Sequence, residues 1–479
     1  MQETKPEALD ELHWQPWQAH ERESFFAAIE RHRRLAWRVS AMCVLAYSVL
    51  ALVMSLLLAP LFYCVVGLVF DLINLVTPMP DLLGGMFQLI TRLLDDPWQI
   101  AFAELAQGLV LALLPGLLLM MGLAYPISRT LKQTTWLEEV VQPLSKPFLA
   151  ERQFHHVVEE MAIAALIPVP QIHVMKGGMN AAALGLPDKP ATILVGEDLL
   201  KTLNRAQLQA VAAHLIASIA EHDGKIGWQM ATVMGVFALI ARFAFSVTDP
   251  DARHQLRQVV GAIGKPNSVG RAVLLSSLRD PFAEESPKST RVQRNTTVSL
   301  TWREWLSLPL MGPVFMSAFL GQFVNSLLLS PLLALVWRQR KYMADASAVK
   351  LTREPNGLAS ALSQFNNQNT ALLKTTWTSH FCVVQPGKVS GLILPTFPTL
   401  EKRMKALIRL GAQPMVLAPD QDWQNLWQQA GWKLVLIMLL TLLAIVLISV
   451  LLPMLVIVSM MLTMLMTLLP SGLLHTLLR

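Results

Sequence analysis

Residues 204–223 read NRAQLQAVAAHLIASIAEHD. Asn204 followed three residues later by Gln207 is the pattern of a capping box, in which two side chains satisfy each other's free backbone N–H groups at a helix start. The apolar-rich run behind it predicts a helix through Ala220. Upstream, 154–166 carries helical periodicity, and 171–175, 180–185 and 192–195 are short β-like runs separated by Gly, Pro and Asp. Pro168, Pro170, Gly177 and Gly178 act as turn punctuation there. Downstream, a second soluble piece opens with a helix over 338–351. Helices around short strands make this soluble part α+β.

The rest of the chain is written for a different solvent. Of 479 residues, 53% are hydrophobic and only 15% charged, and mean hydropathy is +0.44. Soluble domains carry about a quarter charged residues. Five apolar stretches, 39–70, 105–125, 226–247, 308–337 and 434–469, reach the length of about 20 residues that a membrane helix needs. Trp37, Trp98, Trp228, Trp305, Trp337 and Trp432 lie near their ends, where indoles favour the headgroup region. The first and last stretches exceed one crossing and contain Pro60 and Pro453, so each admits a long helix, a span with a surface helix, or a hairpin.

Charge sets the expected orientation. Arg31, Arg33, Arg34 and Arg38 precede the first stretch, and 71–104 holds five acids and one Arg. That asymmetry places the N-terminus inside. The loop 249–304, with nine Lys/Arg and six acids, runs against the simple scheme. The net charge of +6 belongs to such flanks and not to a nucleic-acid patch. Cys43, Cys64 and Cys382 show neither disulfide-framework nor thiolate-metal spacing. The first 38 residues are polar and charged, unlike a cleavable signal peptide. The expected organisation is a cytoplasmic segment 1–38, membrane helices within 39–125, a soluble domain over 126–430 interrupted by spans 226–247 and 308–337, and a membrane segment 434–479.

Three stretches in fixed order carry a resemblance: VEEMAIAALIPVPQIHVMKGGMNAAALG (158–185), ATILVGEDLLKTLNRAQLQAVAAHLIASIAEHD (191–223) and RQRKYMADASAVKL (338–351). Together they resemble the HtpX-type membrane zinc metallopeptidases, to which the CAAX prenyl proteases are more distantly related. The resemblance covers about 100–412. It implies a gluzincin-like domain, helices with a small edge-exposed sheet, on a multi-pass α-helical membrane module in the bacterial inner (cytoplasmic) membrane. The domain would face the cytoplasm.

The family's chemistry needs H-E-x-x-H, two imidazoles one helical turn apart on a zinc ion with a Glu as general base. It also needs a Glu opening E-x-x-A-D on a later helix. Here the first motif reads His214, Leu215, Ile216, Ala217, Ser218, and the second reads Lys341, Tyr342, Met343, Ala344, Asp345. Only His214 matches. Leu215 cannot accept a proton, a function worth roughly 10²–10⁴ in rate. Ser218 is a poor zinc ligand, and Lys341 puts a cation where a dication is expected. A further family His, in T-H-P-P, corresponds to Phe397. The resemblance retains Asp223, the Asp of N-x-D, and Asp345, the Asp of A-D-A. It also retains Asn180, Ala181, Ala182 and Ala183 of the edge strand that pairs with extended substrate in the proteases.

Lys341 and Asp345 are four apart on one helix face. Either the Lys341 ammonium fills the metal position, paired with Asp345 or hydrogen-bonded to His214, or the two form a surface ion pair. His214 reads as an interior histidine, with no metal ligated and zinc retained only under relocated ligands. Glu221 and His222, two turns on and about 10 Å along the axis, with His155 and His156, are the remaining donors. Arg242 and Asn325 lie in apolar stretches, where polar groups mark function or snorkel outward. Met454, Met460, Met461, Met464 and Met466 crowd the last stretch, as lipid-facing filler or an adaptable surface.

Three functions follow. The first is a catalytically inactive, pseudopeptidase-like membrane protein that binds an extended polypeptide or an active membrane protease, in a regulatory or quality-control role. The second is an active zinc metalloendopeptidase with relocated ligands. The third is a transport or channel component, against which the lack of repeats and of intramembrane charge clusters weighs. Expected partners are membrane lipid, polypeptide and a second copy of the chain, without nucleic acid.

Overall fold

The computed structural model describes residues 22–74, 77, 102–132, 149–185, 190–246, 253, 254, 256–258, 260, 261, 330–365, 370, 380–385 and 397–414. In chain order the elements are α1 (Phe25–Asn74), α2 (Phe102–Lys132), α3 (Leu149–Ala164), β1 (Gln171–Met175), β2 (Ala181–Leu184), β3 (Thr192–Gly196) and α4 (Glu197–Thr202). They continue with α5 (Arg205–Ala220), α6 (Asp223–Phe245), α7 (Ser330–Thr352), α8 (Pro355–Gln364) and α9 (Leu400–Arg409).

The three strands form one sheet in the order β1-β3-β2, with β1 parallel and β2 antiparallel to β3. Successive strand side chains point to opposite faces, and the two faces bury into different cores. Ala181, Ala183, Ile193 and Val195 join the interior built from α3, α5, α7, α8 and α9. Ala182, Leu184 and Leu194 face the other way, toward Leu50 and Met54 of α1, Ile127 of α2, Val236, Phe237 and Ile240 of α6, and Trp337 of α7. A sheet buried on both faces needs continuously apolar strands, and AAAL and TILVG supply them.

The long first apolar stretch resolves into one form: 39–70 lies within the single 50-residue helix α1, unbroken at Pro60. Within it, Phe25–Ser55 is the one helical segment among the described residues that is long and apolar enough to cross a membrane. Large apolar side chains stand exposed along it, Trp37, Met42, Val44, Leu45 and Val49 among them. The stretch 105–125 falls in α2, and 226–245 of the stretch 226–247 falls in α6. Residues 308–329 and 434–479, with Asn325 and the late methionines, lie outside the described residues.

Candidate functional site

The helix carrying the first motif, α5, starts as its sequence dictates. Asn204 accepts from the Gln207 backbone N–H at 2.9 Å, and the Gln207 side chain accepts from the Asn204 N–H at 3.0 Å. Residues 210–218 of α5 are all buried, which accounts for its nearly continuous apolar sequence. His214 and Leu215 are wholly enclosed, and Ser218 is 2% exposed.

Against this helix lies α7, which brings Lys341 and Asp345 into the same interior, 2% and 1% exposed. A surface ion pair is therefore excluded, and the two residues take separate partners. Lys341 Nζ donates to the Cys382 carbonyl at 2.7 Å and sits 5.4 Å from the centroid of the Phe397 ring. Asp345 receives two bonds from Arg403 of α9, Nε to Oδ2 at 2.8 Å and Nη2 to Oδ1 at 2.6 Å. Its Oδ1 also lies 2.8 Å from His214 Nδ1, set off the line of a straight N–H bond. His214 Nε2 has no hydrogen-bond partner among the described residues. Asp223, 2% exposed, accepts from Ser218 Oγ and from Arg340 Nε, and Arg340 Nη2 reaches the Glu221 carbonyl.

Burial sets the protonation states. It pushes His214 down to about 4 against the opposing pull of the Asp345 carboxylate. It brings Lys341 down to about 8, with Arg403 adding and Asp223 opposing. Burial alone would raise Asp345, but the charge and the two bonds of Arg403, with the adjacent His214 ring, hold its carboxyl well below the usual range. The Cys382 thiol is pushed up to about 12 by burial, which the Lys341 charge opposes.

The sheet's edge differs from the sequence expectation. Asn180, Ala181, Ala182 and Ala183 were expected to present an open strand; all four are buried at 2% exposure or less. Residues 380–385 lie along β2, with Cys382 bridging Ala182 in antiparallel register and the Val383 N–H donating to the Ala181 carbonyl at 2.8 Å. Asn180 clamps this segment: its Nδ2 donates to Val384 O at 2.7 Å and Thr370 O at 2.9 Å, and its Oδ1 accepts from Val384 N at 3.3 Å. Arg403 Nη1 donates to Val383 O at 2.6 Å. Half-buried His380 stacks on Trp337 at 5.3 Å, and its enclosed Nδ1 has no hydrogen-bond partner among the described residues. An edge strand's free backbone groups invite pairing, and here the chain itself supplies it.

Arg403, Arg340 and 380–385 are the participants that the sequence reading missed. Arg403 left a signal: with Leu400, Met404 and Leu407 it holds the i, i+3, i+4, i+7 spacing of a buried helix face, so a guanidinium there demands a buried acid.

The donor set does not fit the zinc ion that the resemblance implies. Zinc takes imidazole, thiolate or carboxylate ligands. Of the three expected positions one offers an imidazole, one a hydroxyl already donated to Asp223, and one an ammonium bonded to a carbonyl. The other donors do not gather around His214. Glu221 pairs with Arg33 at 2.8 Å, while His222, His155 and His156 are exposed. Among the described residues no group of three or more His, Cys, Asp or Glu side chains is placed to hold a metal ion.

Comparison with known proteins gives the scaffold its relatives. The model of peptidase family M48 matches residues 149–280. A protein named Protease HtpX homolog from Dictyoglomus thermophilum is 30% identical over 261 residues, 53% of this chain and 68% of that protein. A second Protease HtpX homolog, from Thermoanaerobacter pseudethanolicus, is 28% identical over 255 residues, 53% of this chain and 70% of that protein. No solved structure matches the chain. With its order of helices and strands, its two motif helices and these relatives, the chain belongs to peptidase family M48, among the HtpX-like members.

Proposed function

We propose that this chain is a multi-pass protein of the cytoplasmic membrane whose M48-type cleft holds polypeptide and does not cut it. The observation that carries this reading is the Lys341 ammonium, enclosed in the interior and bonded to a backbone carbonyl, on the residue that stands where the resemblance puts the third metal ligand. A metal-bound water needs a Lewis acid and a base to become a nucleophile. The side chains here offer a tethered cation that only donates, and Leu215 where the proton should go. What is retained is the machinery for main-chain recognition, the β2 edge and its Asn180 clamp. Backbone hydrogen bonds of that kind give affinity with little demand on sequence. The partner is an extended polypeptide segment or an active membrane protease, in a regulatory or quality-control role.

Zinc content by mass spectrometry, on protein purified without chelator, tests the reading. Well under one zinc per chain, unchanged on supplying the metal and accompanied by no chelator-sensitive cleavage of casein, is expected. About one zinc per chain, lost in His214→Ala together with peptide cleavage, would overturn it.

A further inference from the structure

The residues along β2 form a geometry with a direct chemical reading. Segment 380–385 runs antiparallel to the edge strand, as an added chain would in β-augmentation. The carbonyl in the middle of that segment, Cys382 C=O, receives the Lys341 ammonium. A main-chain carbonyl held by a cation, on a chain paired with the edge of the sheet, is the arrangement in which a peptide bond would be presented to a Lewis acid. Here both the peptide and the cation belong to the same molecule.

We propose that residues 380–385 are an internal stand-in for the polypeptide ligand, occupying the β2 edge until an extended chain displaces them, and that Lys341 is the catch that holds them there. This rests on the reading of the edge as a polypeptide site. Two independent groups of bonds support it. The backbone pairing with Ala181 and Ala182 is of the sequence-tolerant kind that any extended chain reproduces. Asn180, Lys341 and Arg403 each donate to a main-chain carbonyl of the segment, Val384, Cys382 and Val383, and none of these three bonds depends on a side chain of it. A ligand of different sequence can therefore inherit every one of them. The regulation follows by mass action: a segment tethered to the chain competes at high effective concentration, so free polypeptide binds only at concentrations that rival it.

The pairing offers its own test. Ala182 and Cys382 face each other without exchanging hydrogen bonds, since the bond runs between their neighbours Val383 and Ala181. Such pairs have Cα atoms about 4.5 Å apart, within the range a disulfide spans. Ala182→Cys is made in full-length protein carrying Cys43→Ala and Cys64→Ala, and oxidised with diamide, which takes up the two thiol hydrogens as the S–S bond forms. The probe is a dye-labelled peptide of residues 378–388 with the C382S change, read by fluorescence anisotropy in detergent micelles.

The expected result is that the disulfide forms, peptide binding falls at least tenfold in the oxidised protein, and dithiothreitol restores it in the same sample. Lys341→Met, which keeps the aliphatic stem, removes a bond that the segment and the peptide make alike, so peptide affinity should stay within about threefold of the parent. It should also expose Cys382 to faster alkylation by N-ethylmaleimide. A disulfide that does not form, or one that forms and leaves peptide binding unchanged, overturns the internal stand-in while the polypeptide site survives. If the reduced variant, the parent and Lys341→Met all fail to bind, the polypeptide site falls as well.

Discussion

His214 and His380 are both pushed down by burial to about 4, against an ordinary 6.5. The folded protein keeps them neutral where the unfolded chain takes up protons, so the unfolded state binds more protons between about pH 6.5 and 4. Stability therefore falls as pH drops through that window. Melting followed by tryptophan fluorescence should show a clear drop from pH 7.5 to 5.0, and His380→Gln should remove part of it. Lys341 extends the trend at the other end: with its folded value near 8 against 10.5 unfolded, stability rises with pH between those values. Arg403 carries the heaviest single load, with Asp345 on one side and Val383 O on the other. Arg403→Met leaves a buried carboxylate facing a neutral side chain and should cost roughly 3–5 kcal/mol in chemical denaturation. The replaced positions 215, 218 and 341 were readable one by one because each breaks a motif of fixed spacing. Their partners were not. From helical spacing the sequence reading offered Lys341 either Asp345 or His214 as a partner, or a surface ion pair with Asp345, whereas packing gives Asp345 to Arg403, 58 residues away, and Lys341 to a carbonyl 41 residues away.

Elements with a local signature were legible: the capping box of α5, the runs that became β1, β2 and β3, and the helix over 338–351. Segment 380–385 was not, because its pairing with β2 spans about 200 residues of chain and no local pattern encodes so distant a partner. Nor was the form of 39–70, since its apolar composition suits a hairpin as well as a rod. The junction between β2 and α6 shows how tightly these elements are set. Gly224, directly after Asp223, lies so close to the Gly185 backbone that a Cβ would run into it. Gly224→Ala should destabilise the protein by about 2 kcal/mol or more by forcing α6 away from the sheet. It should also loosen the bonds of Ser218 and Arg340 to Asp223, seen as faster amide exchange at the end of α5. A Gly116→Ala change also meets backbone, where α2 packs on Ser55 of α1, and should destabilise that helix pair while leaving the Asp223 bonds in place.

At the scale of the whole molecule, residues 22–38 of the polar N-terminal stretch belong to the fold. Glu23 N–H bonds to Arg409 O at 3.0 Å, Ala28 and Ile29 pack on Met343 and Ala346, and His32 stacks on Tyr342 at 5.2 Å. Arg33 reaches Glu221, next to the Asp223 network. Ile29→Asp, which buries a charge against α7, should lower the melting temperature by several degrees and expose α7 to limited proteolysis. The resemblance stopped short of these residues, and their charged composition hid an apolar stripe only two side chains wide. The same helix continues without a break to Asn74. At 1.5 Å per residue it is about 75 Å long, and its first turns are fastened to the helix that bears Lys341. A rod of that length is a lever: a swing of about ten degrees about its midpoint carries each end through roughly 6 Å, more than the spacing between paired strands. A tilt of its far half would therefore be felt at the helix that carries Lys341 and, through it, Cys382.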